Sequence, residues 1–159
     1  MKEIKLTQGK VALVDDEDYD FLMQWKWFAT KAKLTYYADR CLWINKSCRH
    51  LSMHRFIMNA PIGKEIDHIN HNGLDNQKSN LRICDKAENN RNRTAIGKSK
   101  YLGVYFEYHG GILYIRASIR TGNKRIFLGS FKTEEEAALA YDKAAIIYHG
   151  NFANTNFKS

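Results

Sequence analysis

Asp67, His68, Asn80 and Asn89 are the residues whose types and spacing could do chemistry in this chain. They fall in one Asn-rich stretch, Ile66-Asp67-His68-Ile69-Asn70-His71-Asn72-Gly73-Leu74-Asp75-Asn76, continued by Ser79-Asn80-Leu81-Arg82 and Glu88-Asn89-Asn90. A carboxylate and an amide are both hard oxygen ligands, the kind that Mg²⁺ or Mn²⁺ takes. One of each, Asp67 and Asn89, leaves room for waters and a phosphate oxygen, which suits a catalytic ion better than a structural one. Asn90 is the rival ligand, since one residue along a helix turns the side chain by about 100°. In an ideal strand His68 faces away from Asp67, so both reach one phosphate only if the strand end is distorted. Set apart from its spacing, an Asp-His pair reads as solvated surface. His71 reads as a loop residue, and His54 as a core or hydrogen-bonding histidine.

These groups need a strand, a loop, a second strand and a helix to hold them. Ile66-Asp67-His68 and Leu81-Arg82-Ile83-Cys84 are short strands. The loop between them, Ile69 to Asn80, carries Gly73. Asp85 and Glu88 have the spacing of a capping box, and the helix they open should run from Lys86 to about Arg93. With Leu74 to Arg82 in the pattern Leu-Asp-Asn-x-x-Ser-Asn-Leu-Arg, Asn80 twelve residues after His68 and Asn89 nine further on, the stretch from Ile66 to Asn92 resembles the HNH endonucleases. The likeness is to the phage and intron-encoded homing type, with its ββα-metal fold. Asn89 stands where many members have His, and the cysteine pairs that some use for zinc are absent.

The resemblance implies phosphodiester hydrolysis, a nick or a cut in duplex DNA. His68 would be the general base, and an imidazole pKa near 6.5 keeps it mostly neutral at cytoplasmic pH. Asp67 and Asn89 would hold one Mg²⁺ or Mn²⁺ ion, which would neutralise the developing phosphorane charge. Asn80 would tie the loop to the strand and orient His68. Arg82, Arg91 and Arg93 would grip flanking phosphates.

Downstream, Thr94 to Lys100 reads as a short basic linker, with Lys98 and Lys100 counted among the duplex contacts. Tyr101–Tyr108, Leu113–Arg120 and Lys124–Leu128 read as three strands, turned at His109-Gly110-Gly111 and Thr121-Gly122-Asn123. Thr133 to Glu136 opens a helix whose stripe is Ala137, Ala140, Tyr141, Ala144 and Tyr148, with Gly150 as its stop. Tyr101-Leu102-Gly103-Val104, Leu128-Gly129-Ser130-Phe131, Glu135 to Ala145 and Asn154-Thr155-Asn156-Phe157 together resemble the ethylene-response-factor type of DNA-binding domain, over Tyr101 to Phe157. In that family the sheet, not the helix, enters the major groove. The face it would offer here includes Tyr105, Glu107, Arg116, Ser118, Arg120, Lys124 and Arg125, according to register. Leu102 and Tyr105 stand near positions where the plant family has arginines, so its base-reading code does not transfer.

Upstream, Ile4–Leu6 and Val11–Val14 bracket Gly9-Lys10 as a hairpin, and Asp15 to Asp20 opens a short helix. Trp27-Phe28 and Thr35–Ala38 read as strands, and Leu51–Met58 as a strand turning into a helix. Pro61, the only proline, marks a boundary with Gly63. The fold class is then α+β in four parts: an aromatic-rich α+β region (1–64), an HNH ββα-metal motif (65–93), the linker (94–100), and a three-stranded antiparallel sheet packed on one helix (101–159).

Charge supports a polyanionic partner. Of 159 residues, Lys and Arg number 25 against 17 Asp and Glu, a net +8. Nucleic acid is the first expectation and an anionic membrane surface the second. No run approaches the ~18 apolar residues of a membrane span, and the first residues lack the apolar core of a signal peptide. Three cysteines are an odd number without a C-x-x-C, so neither a disulfide framework nor a Cys-type zinc site is expected, and a reducing cytoplasm fits. Cys41 and Cys48 read as ordinary thiols, and Cys84 as packed in its strand. The whole reads as a metal-dependent HNH homing endonuclease, phage-encoded and acting on double-stranded DNA as a monomer in a bacterial cytoplasm. The alternative is a sequence-specific DNA-binding regulator with a decayed nuclease site, and an RNA-binding accessory protein is a third class.

Overall fold

The computed structural model describes residues 1–92 and 98–157. They form two compact units, Met1–Lys86 and Ala87–Ser159, each built from antiparallel sheet and short helices.

The first unit opens with the hairpin of β1 (Lys2–Lys5) and β2 (Val11–Val14). Alternation along β2 buries Ala12 and Val14 and leaves Val11 and Leu13 half-buried. Leu13 binds the later loop through both backbone groups, donating to the Leu74 carbonyl and accepting from Asn76 N–H. Helix α1 (Asp16–Leu22) has Asp16, Glu17 and Asp18 in its first turn, where carboxylates complement the helix dipole. A three-stranded sheet follows, in the order β3 (Phe28–Lys31), β4 (Tyr36–Ile44), β5 (Ser47–Ser52), and leads directly into α2 (Met53–Ile57). The core gathers Ile4, Ala12, Val14, Leu22, Trp27, Ala38 and Met53. Arg40 is buried beside it, its guanidinium 4.2 Å from the Trp25 ring centre and 4.8 Å from that of Phe56. The hairpin of β6 (Glu65–His68) and β7 (Leu81–Cys84) completes this unit.

Two expectations need correction here. The strand read at Thr35–Ala38 runs on to Ile44 and turns back at once. Asn45 and Lys46 have φ of 49° and 62°, the left-handed pair of a two-residue hairpin turn. No glycine announces that turn. Cys41 and Cys48, expected as thiols, form a disulfide with Cα atoms 5.5 Å apart. The new hairpin is the cause: Cys48 sits opposite Trp43, two residues from Cys41 on the same face, so the sulfurs meet diagonally. Cys84 is buried, its thiol 3.6 Å from the Glu65 carbonyl.

Helix α3 (Lys86–Arg91) ends at Arg91. Arg93, and with it residues 94–97 of the expected linker, lies outside the described residues. The second unit then forms a sheet in the order β10 (Lys124–Phe131), β9 (Ile112–Thr121), β8 (Val104–His109). One face carries α4 (Glu134–His149), which Thr133 caps by accepting from Glu136 N–H at 3.1 Å. Ala137 and Ala138 pack with Val104 and Ala117, while Tyr141, Ala144 and Ala145 pack with Ile119. The buried stripe differs from the sequence reading at its end, where His149 is buried and Tyr148 exposed. Small residues let the helix lie close on the sheet, and Gly103 makes room for the Tyr141 ring. Among the described residues no helix is long and apolar enough to cross a membrane.

Candidate nucleic-acid interface

The face of the β8–β10 sheet opposite α4 is built by register. Tyr105 pairs with Arg116 and Arg116 with Ser130; Glu107 pairs with Tyr114, Ser118 with Phe127, and Arg120 with Arg125. Alternation therefore puts Tyr105, Glu107, Tyr114, Arg116, Ser118, Arg120, Arg125 and Phe127 on one side. The core residues Ala117 and Ile119 turn to the other side, towards the helix. A bulge between Phe127 and Gly129 adds one residue to β10, and the intervening Leu128 joins the core.

Two arginines of this face are held in place. Arg125 lies 4.4 Å from the Tyr105 ring centre and donates Nε–H to Ser118 Oγ at 2.8 Å. Arg116 stands over Tyr114 and Phe127, at 5.4 and 5.6 Å, and pairs with Glu107. Stacking fixes the plane of a guanidinium without using up its donors, so less rotamer entropy is lost when an anion binds. Arg120 is exposed beside them. Lys124 pairs with Thr121, which sets it on the helix side of the hairpin end, apart from the Arg120–Arg125 row. Lys98 and Lys100 are exposed, and Lys100 Nζ lies 4.9 Å from the Tyr101 ring centre. Arg91 is half-buried at the end of α3. Tyr114 and Phe127 were missed from sequence, although Tyr114 alternates in step with Arg116, Ser118 and Arg120. Phe127, 56% exposed, breaks the rule that a strand phenylalanine faces the core.

The Asn-rich stretch forms β6, a loop, β7 and α3 in the expected order. Asp67 and Arg82 face each other across β6 and β7, and Arg82 Nε and Nη2 donate to Asp67 Oδ2 at 2.8 and 2.6 Å. The carboxylate expected to bind a metal ion is thus held by the arginine expected to grip phosphate. Asn80 knits the loop, accepting from Asn70 N–H at 3.0 Å and donating to the Asp75 carbonyl at 2.8 Å. His68 turns inward, its ring 5.0 Å from that of His54 and 5.7 Å from that of Tyr37. Burial lowers the pKa of both histidines, that of His54 to about 4, and raises that of Tyr37. Asn89 and Asn90 lie on α3. Among the described residues no group of three or more His, Cys, Asp or Glu side chains could hold a metal ion.

Sheet and helix in this order define a small β-sheet module with an arginine-bearing face. Three of the proteins it resembles are plant transcription factors. Ethylene-responsive transcription factor WRI1 of Arabidopsis thaliana is 51% identical over 61 residues, 38% of this chain and 14% of that protein. AP2-like ethylene-responsive transcription factor At1g16060 of the same plant is 51% identical over 61 residues, 38% of this chain and 18% of that protein. AP2-like ethylene-responsive transcription factor CRL5 of Oryza sativa subsp. japonica is 48% identical over 61 residues, 38% of this chain and 10% of that protein. The match therefore spans less than a fifth of the length of these curated relatives. No family model matches the chain.

These likenesses support the ethylene-response-factor part of the resemblance and correct the rest. The expectation of an HNH endonuclease, an enzyme hydrolysing phosphodiester bonds, is overturned because the relatives are transcription factors rather than nucleases. The phage origin and bacterial cytoplasm are overturned too, since the relatives come from plants.

Proposed function

We propose that the chain is a sequence-specific DNA-binding regulator that grips duplex DNA, as a monomer, with the outer face of the β8–β10 sheet. The observation that carries this reading is the row of Arg116, Arg120 and Arg125 opposite the helix-bearing face, with Arg116 and Arg125 pre-oriented by the rings beneath them. The outer strands of a three-stranded sheet lie about 10 Å apart, which matches a major groove about 12 Å wide, and guanidinium forks match the guanine O6/N7 pair. The net charge of +8 supplies the sequence-independent attraction. The transcription factors it resembles support the same reading, and the site of action would then be the nucleus. Within it, Arg120 and Arg125 read bases at the open end of the sheet, while Glu107 sets the rotamer of Arg116.

The test is duplex binding by the whole chain, first by selection from a random-sequence pool, then by titration of the selected site. Arg125→Gln should weaken that site by about 1–3 kcal/mol, roughly 10- to 100-fold, and relax the preference at one base position. Lys143→Gln, on the exposed side of α4, should leave it unchanged. Sheet-face variants that bind like wild type would remove this reading.

A further inference from the structure

The distal half of the β4–β5 hairpin stands out from the first unit with both faces open. Trp43 is 74% exposed and Ile44 46%, and Ser47, Cys48, Arg49 and His50 opposite them are all exposed. Nothing in the core of that unit uses these side chains. The ribbon is nonetheless stiff: it closes in a two-residue turn at Asn45-Lys46 and is cross-linked by Cys41–Cys48 just below the tip. β5 is also the edge of its sheet, so its outer backbone groups are unpaired by any strand.

Chemistry picks the occupant. From Cys41 to His50 the ribbon carries Lys46 and Arg49, with His50 beside them, and no carboxylate at all. A protein groove that took up Trp43 and Ile44 would need acidic rims to accept those cations; a polyanion accepts them along its whole length. Size agrees. Three to four residues beyond the body of the sheet reach about 10–13 Å at 3.3 Å each. The major groove, about 12 Å wide, admits a two-stranded ribbon of that length. Register puts Arg49 opposite Leu42 on one face and Trp43 opposite Cys48 on the other. The ribbon thus carries an indole on one face, Arg49 on the other and Lys46 at its turn.

We infer that the β4–β5 ribbon is a second duplex-DNA contact, laid along the major groove with its Trp43 face against the base edges and Lys46 and Arg49 reaching the phosphates. This rests on the DNA-binding reading above and adds to it a contact from the other unit. Two linked contacts raise apparent affinity without either becoming strong.

The experiment uses the whole chain and a long mixed-sequence duplex. First, the salt dependence of binding is compared between wild type and the double variant Lys46→Gln/Arg49→Gln. The variant should lose about two from the slope of log Kobs against log salt, roughly 0.9 for each phosphate contact removed. Second, acrylamide quenching is measured with and without duplex. Trp25 is half-buried and Trp27 buried, so the accessible emission is that of Trp43, and duplex should shield it. Trp43→Phe identifies the signal. An unchanged slope together with unshielded Trp43 would overturn the ribbon contact while leaving the sheet reading intact. Ribbon effects present while Arg125→Gln binds like wild type would retain the ribbon and remove the sheet. A wild-type chain that ignores duplex, or shields Trp43 only with structured RNA, would overturn both.

Discussion

Gly103 and Gly122 both have positive φ, of +73° and +57°, yet they differ in what surrounds them. A Cβ at Gly122 would meet open space, whereas one at Gly103 would stand 1.9 Å from Tyr141 Cδ2. Gly122→Ala therefore pays only the left-handed backbone cost, about 1–2 kcal/mol. Gly103→Ala adds the displacement of a buried ring, a further ~1–3 kcal/mol. Urea unfolding followed by far-ultraviolet circular dichroism should rank the two variants in that order. Equal losses would mean that the Tyr141 ring gives way freely and does not lock α4 to the sheet. The same scale explains why the Asn-rich stretch misled. Asp67 and His68 were legible as residue types. That Arg82 would stand directly across from Asp67 depends on the β6–β7 register, which no local pattern states.

At the level of elements, the second unit was readable because its punctuation is strong. Gly110-Gly111 and Gly122 turn the strands, and Thr133 with Glu136 opens α4. The β4–β5 hairpin lacked such a mark, since Asn45-Lys46 adopts the left-handed turn without glycine. The tail after α4 was legible only as the phrase Asn-Thr-Asn-Phe, and its use emerges from the hydrogen bonds. Asn156 accepts from Leu102 N–H at 2.6 Å and donates to the Leu102 carbonyl at 3.2 Å. Its own N–H and amide donate to Asp142 Oδ1, and Phe157 N–H donates to Asp142 Oδ2. A buried helix carboxylate thereby clamps the tail onto the approach to β8. Asn156→Ala removes the side-chain half of this clamp and leaves the Leu102 backbone pair unmatched. A loss of about 2–3 kcal/mol is expected, with faster amide exchange at Leu102 and Phe157 as the local signature. Exchange that stayed slow at both amides would show the tail to be held by packing alone.

For the molecule as a whole, the two units should respond differently to acid, and the cause is the histidine pair of the first. Burial, and then the nearby His68, lower His54 from the ordinary 6.5 to about 4. His68 is also lowered, chiefly by burial. The unfolded chain takes up these protons near pH 6.5, and the folded chain does so only well below that. Between those limits the unfolded state carries more protons, so stability falls as pH falls. With values of 6.5 and about 4, His54 alone costs on the order of 2 kcal/mol at pH 5 relative to pH 8, and His68 acts in the same direction. All three tryptophans, Trp25, Trp27 and Trp43, lie in the first unit, so their emission reports its unfolding without interference from the second. The urea midpoint read by tryptophan emission should drop between pH 8 and pH 5. His54→Gln, which cannot take up the proton, should flatten most of that drop. The His54 Nδ1 atom is a buried nitrogen without a hydrogen-bond partner, so this replacement sacrifices no bond through it. A midpoint independent of pH in wild type, or an equally steep drop in His54→Gln, would place the acid sensitivity elsewhere than in the His54–His68 pair.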